Sequence, residues 1–210
     1  MTLSVLRKWC WLCFLLFTLN SCTGISVKDP GFVNDTAYQN RRVKLIATVD
    51  WGLVGKISLD DGEEGGSGRL QWDVKPGQSE LDFHGALGRG AWHLQITPNV
   101  VFLKMADGSE QIATNVSELI QEHIGWPIPL DALRWWVRGM AAPGVIENEQ
   151  IGADGLLIGL TQFGWKVDFN RYNSVGDLSL PIRLNATRDH YRVKLAISRW
   201  RLGMSDDLTN

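Results

Sequence analysis

The residues best able to do chemistry in this chain are its three cysteines and four histidines. No two of the histidines have the spacing of metal ligands, since they are widely separated: His84, His93, His123 and His190. The chain contains no G-x-S-x-G, P-loop or G-x-G-x-x-G motif. The glycine-rich segment 85–90 joins two predicted strands, whereas a phosphate-binding loop opens a helix. We therefore expect no enzymatic activity, no metal and no cofactor.

The chemistry that the sequence does support is lipid attachment at Cys22. In residues 1–21 the only charges are Arg7 and Lys8, and an apolar run follows them up to residue 19. This order is typical of a secretory signal peptide, and the run is shorter than the roughly 20 apolar residues of a membrane-spanning helix. The segment ends in L-N-S-C at residues 19–22, which resembles the lipobox of bacterial lipoprotein precursors. We expect cleavage before Cys22 and acylation of its thiol.

Composition limits what the remaining 189 residues can be. Removing residues 1–21 takes away two basic residues and no acid, which leaves 19 basic against 23 acidic residues and a formal charge of −4. No basic stripe stands out, so nucleic acid is not an expected partner. Cys10 and Cys13 lie in the signal peptide, so no thiol would remain for a disulfide. Eight of the ten tryptophans follow residue 21, which suggests a large aromatic-lined interior.

The elements that must position these residues are mostly strands. Residues 22–40 are polar and are predicted to be the lipidated N-terminus and a tether. From residue 41 apolar and polar residues alternate, which is typical of strands with one buried face. The first such run is Val43, Leu45, Ala47 and Val49, and a later one is Leu156, Ile158 and Leu160. Turns are predicted at residues 60–66, 107–108, 163–164 and 189–190.

Two helices interrupt the strands in the middle of the chain. Asn115, with Glu118 three residues later, indicates a helix start, and Pro127 and Pro129 break this first helix. A second helix follows, which Gly139 is expected to end. We predict a mainly β fold over residues 41–210, an incomplete antiparallel β-barrel of about ten or eleven strands. The helices would close it as a lid. Its inward residues would line either a packed core or an apolar cavity: Trp51, Trp72, Trp92, Ile120, Leu133, Trp136, Val137 and Trp165.

The stretch from Gly125 to Gly139 resembles the signature G-x-P-I-P-L-x-x-L-R-x-W-x-x-G of the LolB family, the outer-membrane receptors for lipoproteins. The pair Leu87-Gly88 between two strands and the closing Trp200 also fit, and the likeness covers almost the whole chain. The resemblance implies a half-barrel with a helical lid over an apolar cavity.

The resemblance also implies a function. A protein of this family accepts lipoproteins from the periplasmic carrier LolA, binds their acyl chains and inserts them into the inner leaflet of the outer membrane. The membrane-insertion loop of the family would present Leu87 here. The lipid at Cys22 would anchor a monomer to the periplasmic face of the outer membrane, because Thr23 replaces the Asp that retains lipoproteins at the inner membrane.

Two other functions remain open from the residues alone. The first is a lipid-anchored periplasmic carrier of another apolar ligand, which would share the cavity but need no carrier partner. The second is a structural envelope subunit with a filled core, which would bind no apolar dye.

Overall fold

The computed structural model describes residues 30–85, 90–125 and 128–203, with side chains from residue 35 onward. The elements in chain order are α1 (Pro30–Ala47), β1 (Trp51–Asp60), β2 (Gly65–Lys75), β3 (Gln78–Gly85), β4 (Trp92–Ile96), β5 (Val101–Met105), β6 (Glu110–Ala113), α2 (Val116–Ile124), α3 (Leu130–Trp136), β7 (Asn148–Ile151), β8 (Leu157–Gln162), β9 (Trp165–Val175), β10 (Leu178–Arg188) and β11 (Tyr191–Leu202).

The strands of the described residues form one antiparallel sheet. Its order is β6-β5-β4-β3-β2-β1-β11-β10-β9-β8-β7, so the first and last strands meet at the centre and β6 and β7 are the two edges. The helices α2 and α3 connect these two edge strands. The predicted fold class, mainly β with an incomplete barrel, is confirmed, and the sheet is open rather than closed.

The core lies between the inner face of the sheet and the helices. Alternate residues of β1, β2, β9 and β11 point inward, as the burial of Ile57, Leu70, Val167 and Leu195 shows. Buried residues of α2 and α3 belong to the same apolar cluster as these strand residues. The sheet therefore wraps around one large core that α2 and α3 cover, and a second, smaller cluster joins α1 to β10: Leu45, Met140, Leu178 and Leu180.

The first helix corrects a sequence prediction. Residues 43–47 belong to α1, so the strand predicted from Val43 to Val49 is wrong. Tyr38 and Leu45 are buried, whereas Val43 is 68% exposed. Because Tyr38 and Leu45 are seven residues, or two helical turns, apart, they share one face of a helix. Residues four apart share a face in a strand and also in a helix, so Val43 and Ala47 fit both periods, whereas Leu45 between them lies on the other, buried face of the helix. The domain start predicted at residue 41 falls inside this helix, whose Tyr38 already packs into the core.

A second correction concerns β8. The predicted face of Leu156, Ile158 and Leu160 is wrong, because Leu157 and Leu160 are buried and Ile158 is 48% exposed. The pairing of β7 with β8 shifts register there, from Gln150 opposite Gly159 to Ile151 opposite Leu157. The extra residue, Ile158, is thereby placed on the outer face, as in a β-bulge.

Candidate functional site

The eight residues predicted to face the interior are all buried, and none is more than 5% exposed. The strand register brings several tryptophans together. Trp72 lies opposite Leu53 on β1, and its ring centroid is 5.5 Å from that of Trp51. Trp51 in turn lies 6.0 Å from Trp200. Whether these residues contact an acyl chain stays a prediction, because burial is common to a packed core and a closed cavity.

A cavity of about 670 Å³ opens where β2, β3, β4 and β5 pass under the end of α2, and we call it the mouth cavity. It is lined by Leu59, Gly65, Gly66, Ser67, Phe83, Gly85, Gly90, Trp92, Met105, His123 and Ile124. Its volume lies within the range of about 300–1,000 Å³ that is usual for ligand pockets. Of the eight predicted interior residues, Trp92 alone is among those that line it.

The wall of the mouth cavity is aromatic and close-packed. Phe83 and Trp92 pair across β3 and β4, and their rings stack at 5.4 Å with an interplanar angle of 19°. Gly68 on β2 makes room for this stack, since a Cβ there would lie 2.5 Å from the Phe83 ring. Met105 pairs with Trp92 from the other side, and its flexible thioether extends the apolar wall.

The end of α2 forms the roof of this mouth. The Asn115 side chain caps the helix by accepting from the N–H groups of Ser117 (3.0 Å) and Glu118 (3.3 Å), as predicted. Gly125 ends it in the left-handed conformation at φ 73°. Ile124, in the last turn, lines both the mouth cavity and a smaller cavity of about 210 Å³ on the side of β11.

Gln162 on β8 holds the lid to the sheet and was missed by the sequence reasoning. It is fully buried, and its Oε1 accepts from Trp136 Nε1 of α3 and from the Ala142 N–H, both at 3.0 Å. Its Nε2 donates to the Ala142 carbonyl at 2.8 Å. All of these contacts are 20 or more residues away in sequence, so no local pattern marks the residue.

Two arginines, the buried Arg138 and the half-buried Arg41, tie α1 to the segment after α3, and the sequence reasoning missed them too. Arg138 donates to the Leu45 carbonyl at 2.9 Å, and its guanidinium lies 5.2 Å from the Trp51 ring. Arg41 donates to the carbonyls of Arg138, Gly139 and Ser179. Burial lowers the pKa of Arg138 to about 10, and it also lowers the pKa of Arg41. The only available signal for Arg138 was a basic residue two positions after the second tryptophan of the signature.

Two of the predicted site residues, Cys22 and Leu87, lie outside the described residues. The ends of the segment that contains Leu87 are nevertheless placed: Gly85 and Gly90 both line the mouth cavity. In the part of the chain that the structure describes, no helix combines the length and the apolar character needed to cross a membrane.

The fold and its apolar mouth define a class, that of open antiparallel half-barrels covered by helices. A solved outer membrane lipoprotein-sorting protein domain from Vibrio parahaemolyticus has the same fold, with a TM-score of 0.52 over 81% of this chain and 92% of that one, at 9% identity.

The family is given by sequence. The model of the family described as "Outer membrane lipoprotein LolB" matches residues 49–200, and the chain belongs to the LolB family. The outer-membrane lipoprotein LolB of Stutzerimonas stutzeri is 33% identical over 84% of both chains. That of Nitrosococcus oceani is 28% identical over 93% of this chain and its own full length. The resemblance found in the sequence is thus confirmed, as is the assignment to the outer membrane.

Proposed function

We propose that the mouth cavity takes up acyl chains as this LolB-family protein receives lipoproteins from a periplasmic carrier of the LolA type and inserts them into the inner leaflet of the outer membrane. The observation that supports this most is the cavity of about 670 Å³ between Phe83, Trp92 and Met105 on the sheet and Ile124 on the lid. These side chains have no charge, and an acyl chain needs only apolar contact.

The physical chemistry of acyl chains explains why such a cavity is needed. Each buried methylene is worth about 0.8 kcal/mol, so exposing a whole chain to water would cost over about 10 kcal/mol. Transfer must therefore run from one shielded site to the next. A difference of about 1.4 kcal/mol between two sites already gives a tenfold preference, so no other energy source is required for direction.

The lid would control access to the interior. The two cavities share Leu59, Gly65, Gly66 and Ile124, and only the last of these belongs to α2. Outward movement of the helix end would widen the opening between α2 and the sheet beside Trp92. The seven candidates that do not line the mouth cavity would then form the deeper wall of the acyl site.

Anchoring and delivery complete the proposal. Acylation of Cys22 would hold the protein to the periplasmic face of the outer membrane, and the Leu87 loop beside the mouth would enter the leaflet and release the chains there. LolB is a lipoprotein-trafficking family and not a known enzyme family.

The test uses a fluorescent acyl probe and a protein that starts at Thr23, which keeps every described residue. Ile124→Asp, which puts a charge at the mouth, should weaken probe binding about tenfold or more, because about 1.4 kcal/mol suffices for that. The control is Ile112→Asp on the edge strand β6, where the side chain is 73% exposed and far from the cavity lining. It should bind like the unchanged protein.

Acceptance from the carrier is measured separately, by mixing this protein with LolA-type carrier loaded with lipoprotein. Equal probe binding by both variants would contradict the cavity assignment. Probe binding without acceptance of lipoprotein would favour a carrier of another apolar ligand. A protein that binds no probe at all would be the structural subunit.

A further inference from the structure

Five strand-to-strand connections of the sheet lie on one rim, and we call it the mouth rim. They are the hairpins β1–β2, β5–β6, β8–β9 and β10–β11 and the β3–β4 connection. The strand register determines this position. Asp60, at the end of β1, pairs with Gly65 at the start of β2 and with Arg192 near the start of β11. Phe83, near the end of β3, pairs with Trp92 at the start of β4. The β8–β9 turn, Phe163-Gly164, therefore lies on the same rim as the β3–β4 connection, with β2, β1, β11 and β10 between them in the sheet.

The β8–β9 turn carries an unusual residue. Gln162 pairs with Trp165, and the two residues between them have φ values of 55° for Phe163 and 72° for Gly164. A two-residue turn with positive φ at both positions favours Asn-Gly or Asp-Gly, because a bulky side chain strains the left-handed conformation. In the β10–β11 turn of the same rim the residue with positive φ is Asp189, at 54°, and Asp is a residue type that tolerates this conformation. Phe163 does not, so turn formation does not explain it.

Phe163 is also the centre of an apolar surface. Its side chain is 44% exposed, and its ring edge packs over Gly144. The segment after Gly144 runs beside the turn, since Glu147 N–H donates to the Thr161 carbonyl and its carboxylate accepts from Gly164 N–H. Val145 and Ile146 in this segment are 77% and 40% exposed. Together Phe163, Val145 and Ile146 form what we call the rim patch.

A cation lies next to the rim patch. The Arg188 side chain reaches Gly164, and its guanidinium stacks over the Trp165 ring at 5.0 Å. Among the described residues, no carboxylate lies within ion-pair distance of it. Exposed aromatic and aliphatic side chains beside a basic group are the composition of a surface that enters the membrane interface, where the base meets lipid phosphate.

We propose that the rim patch is a second membrane-contact point, which enters the inner leaflet of the outer membrane on the same rim as the β3–β4 connection. Two contacts four strands apart on one rim would hold that rim against the leaflet, whereas one contact and a lipid tail would leave the protein free to tilt. The inference rests on the proposed function, because a protein that delivers acyl chains must bring its mouth to the membrane.

The experiment exploits the fact that the chain from Thr23 onward contains no cysteine. Phe163→Cys is labelled with a polarity-sensitive fluorophore and mixed with vesicles of phosphatidylethanolamine and a minority of phosphatidylglycerol. The emission should shift to shorter wavelength and be quenched by brominated lipid tails. The control is Ile158→Cys on the same strand pair, a side chain of similar exposure that lies away from the rim; its emission should stay unchanged.

Affinity provides the second measurement. Phe163→Asn should lower vesicle affinity about tenfold, the equivalent of about 1.4 kcal/mol, while Phe163→Leu and Ile158→Asn keep it. Because Asn suits the turn, Phe163→Asn should unfold at a urea concentration no lower than that of the unchanged protein. Acceptance of lipoprotein from the carrier should also be unchanged in Phe163→Asn.

Two results would overturn the inference. One is a label at residue 163 that stays in water when vesicles are added, or that responds only to the loaded carrier. The other is an equal response at residue 158. If either result is found while the protein still accepts lipoprotein from the carrier, the proposed function stands and only this inference fails. If the protein without substitutions does not accept lipoprotein from the carrier, the proposed function itself is wrong.

Discussion

Replacing Gln162 by Leu should release the lid from the sheet. The substitution is close in volume and keeps the strand, but it removes both polar atoms of a side chain that is fully buried. Three groups then lose their partner: the indole N–H of Trp136, and the N–H and carbonyl of Ala142. Two of them belong to the segment after α3 and one to α3 itself.

The magnitude follows from counting these groups. A buried polar group left without a hydrogen bond costs about 1–3 kcal/mol, so three groups give about 3 kcal/mol at the lower end. Part of the loss would be avoided by local opening of the lid, which lets water reach Ala142. We therefore expect a loss of about 3 kcal/mol in the free energy of unfolding, together with faster hydrogen exchange at the Ala142 amide.

The assay is urea unfolding of the chain that starts at Thr23, with hydrogen exchange resolved by residue. Gln71→Leu is the matched control, since Gln71 is an exposed glutamine on a strand and such changes stay within about 0.5 kcal/mol. Trp136→Phe completes a double-mutant cycle with Gln162→Leu, and a coupling of about 1 kcal/mol is expected. A loss below about 1 kcal/mol, or unchanged exchange at Ala142, would refute the role of Gln162.

Three further predictions concern the anchor, the delivery loop and a buried phenol. Cys22→Ser should abolish acylation and signal cleavage together, as gel mobility and mass spectrometry will show; a lipid-free chain from Thr23 that still pelleted with outer membranes would argue for another attachment. Leu87→Glu should accept lipoprotein normally but fail to insert it into liposomes, and normal insertion would exclude Leu87 as the delivery residue. Burial and the hydrogen bond to Glu149 raise the pKa of Tyr38 from 10.0 to about 12. The folded state therefore keeps the phenol proton to a higher pH than the unfolded state does. The contribution of this proton to the free energy of unfolding is present below pH 10 and is lost as the pH rises to about 12. In Tyr38→Phe that loss should be absent by urea unfolding, and identical alkaline curves would contradict it.

The central strands could be predicted from the sequence because their burial is one-sided. Trp51, Trp72 and Trp165 stand in runs where every second residue is apolar, and the inner face of a wide sheet imposes that period. The α2 start was equally readable, since the capping contacts of Asn115 are local. These features are determined by neighbours along the chain.

The parts that could not be predicted depend on distant residues or on edges. The edge strands β6 and β7 have four residues each, which alternate between exposed and half-buried with none fully buried, so their sequences show no apolar alternation. Arg138 meets Leu45 across 93 residues, and Gln162 meets Trp136 across 26. Seven of the eight interior candidates do not line the mouth cavity, because the position of α2 over the strands determines which residues line the opening.

The two edge strands have one more consequence. In a closed barrel the girth is fixed by strand number and stagger, so the interior cannot widen without breaking the hydrogen-bond ladder. Here the sheet is open, because its edge strands β6 and β7 are not hydrogen-bonded to each other within the described residues. Its circumference can change by bending the sheet and sliding the side chains under the helices, with every strand pair intact. Lipoproteins with acyl chains of different number and length could then be accommodated by one interior of variable width, without a separate pocket for each chain.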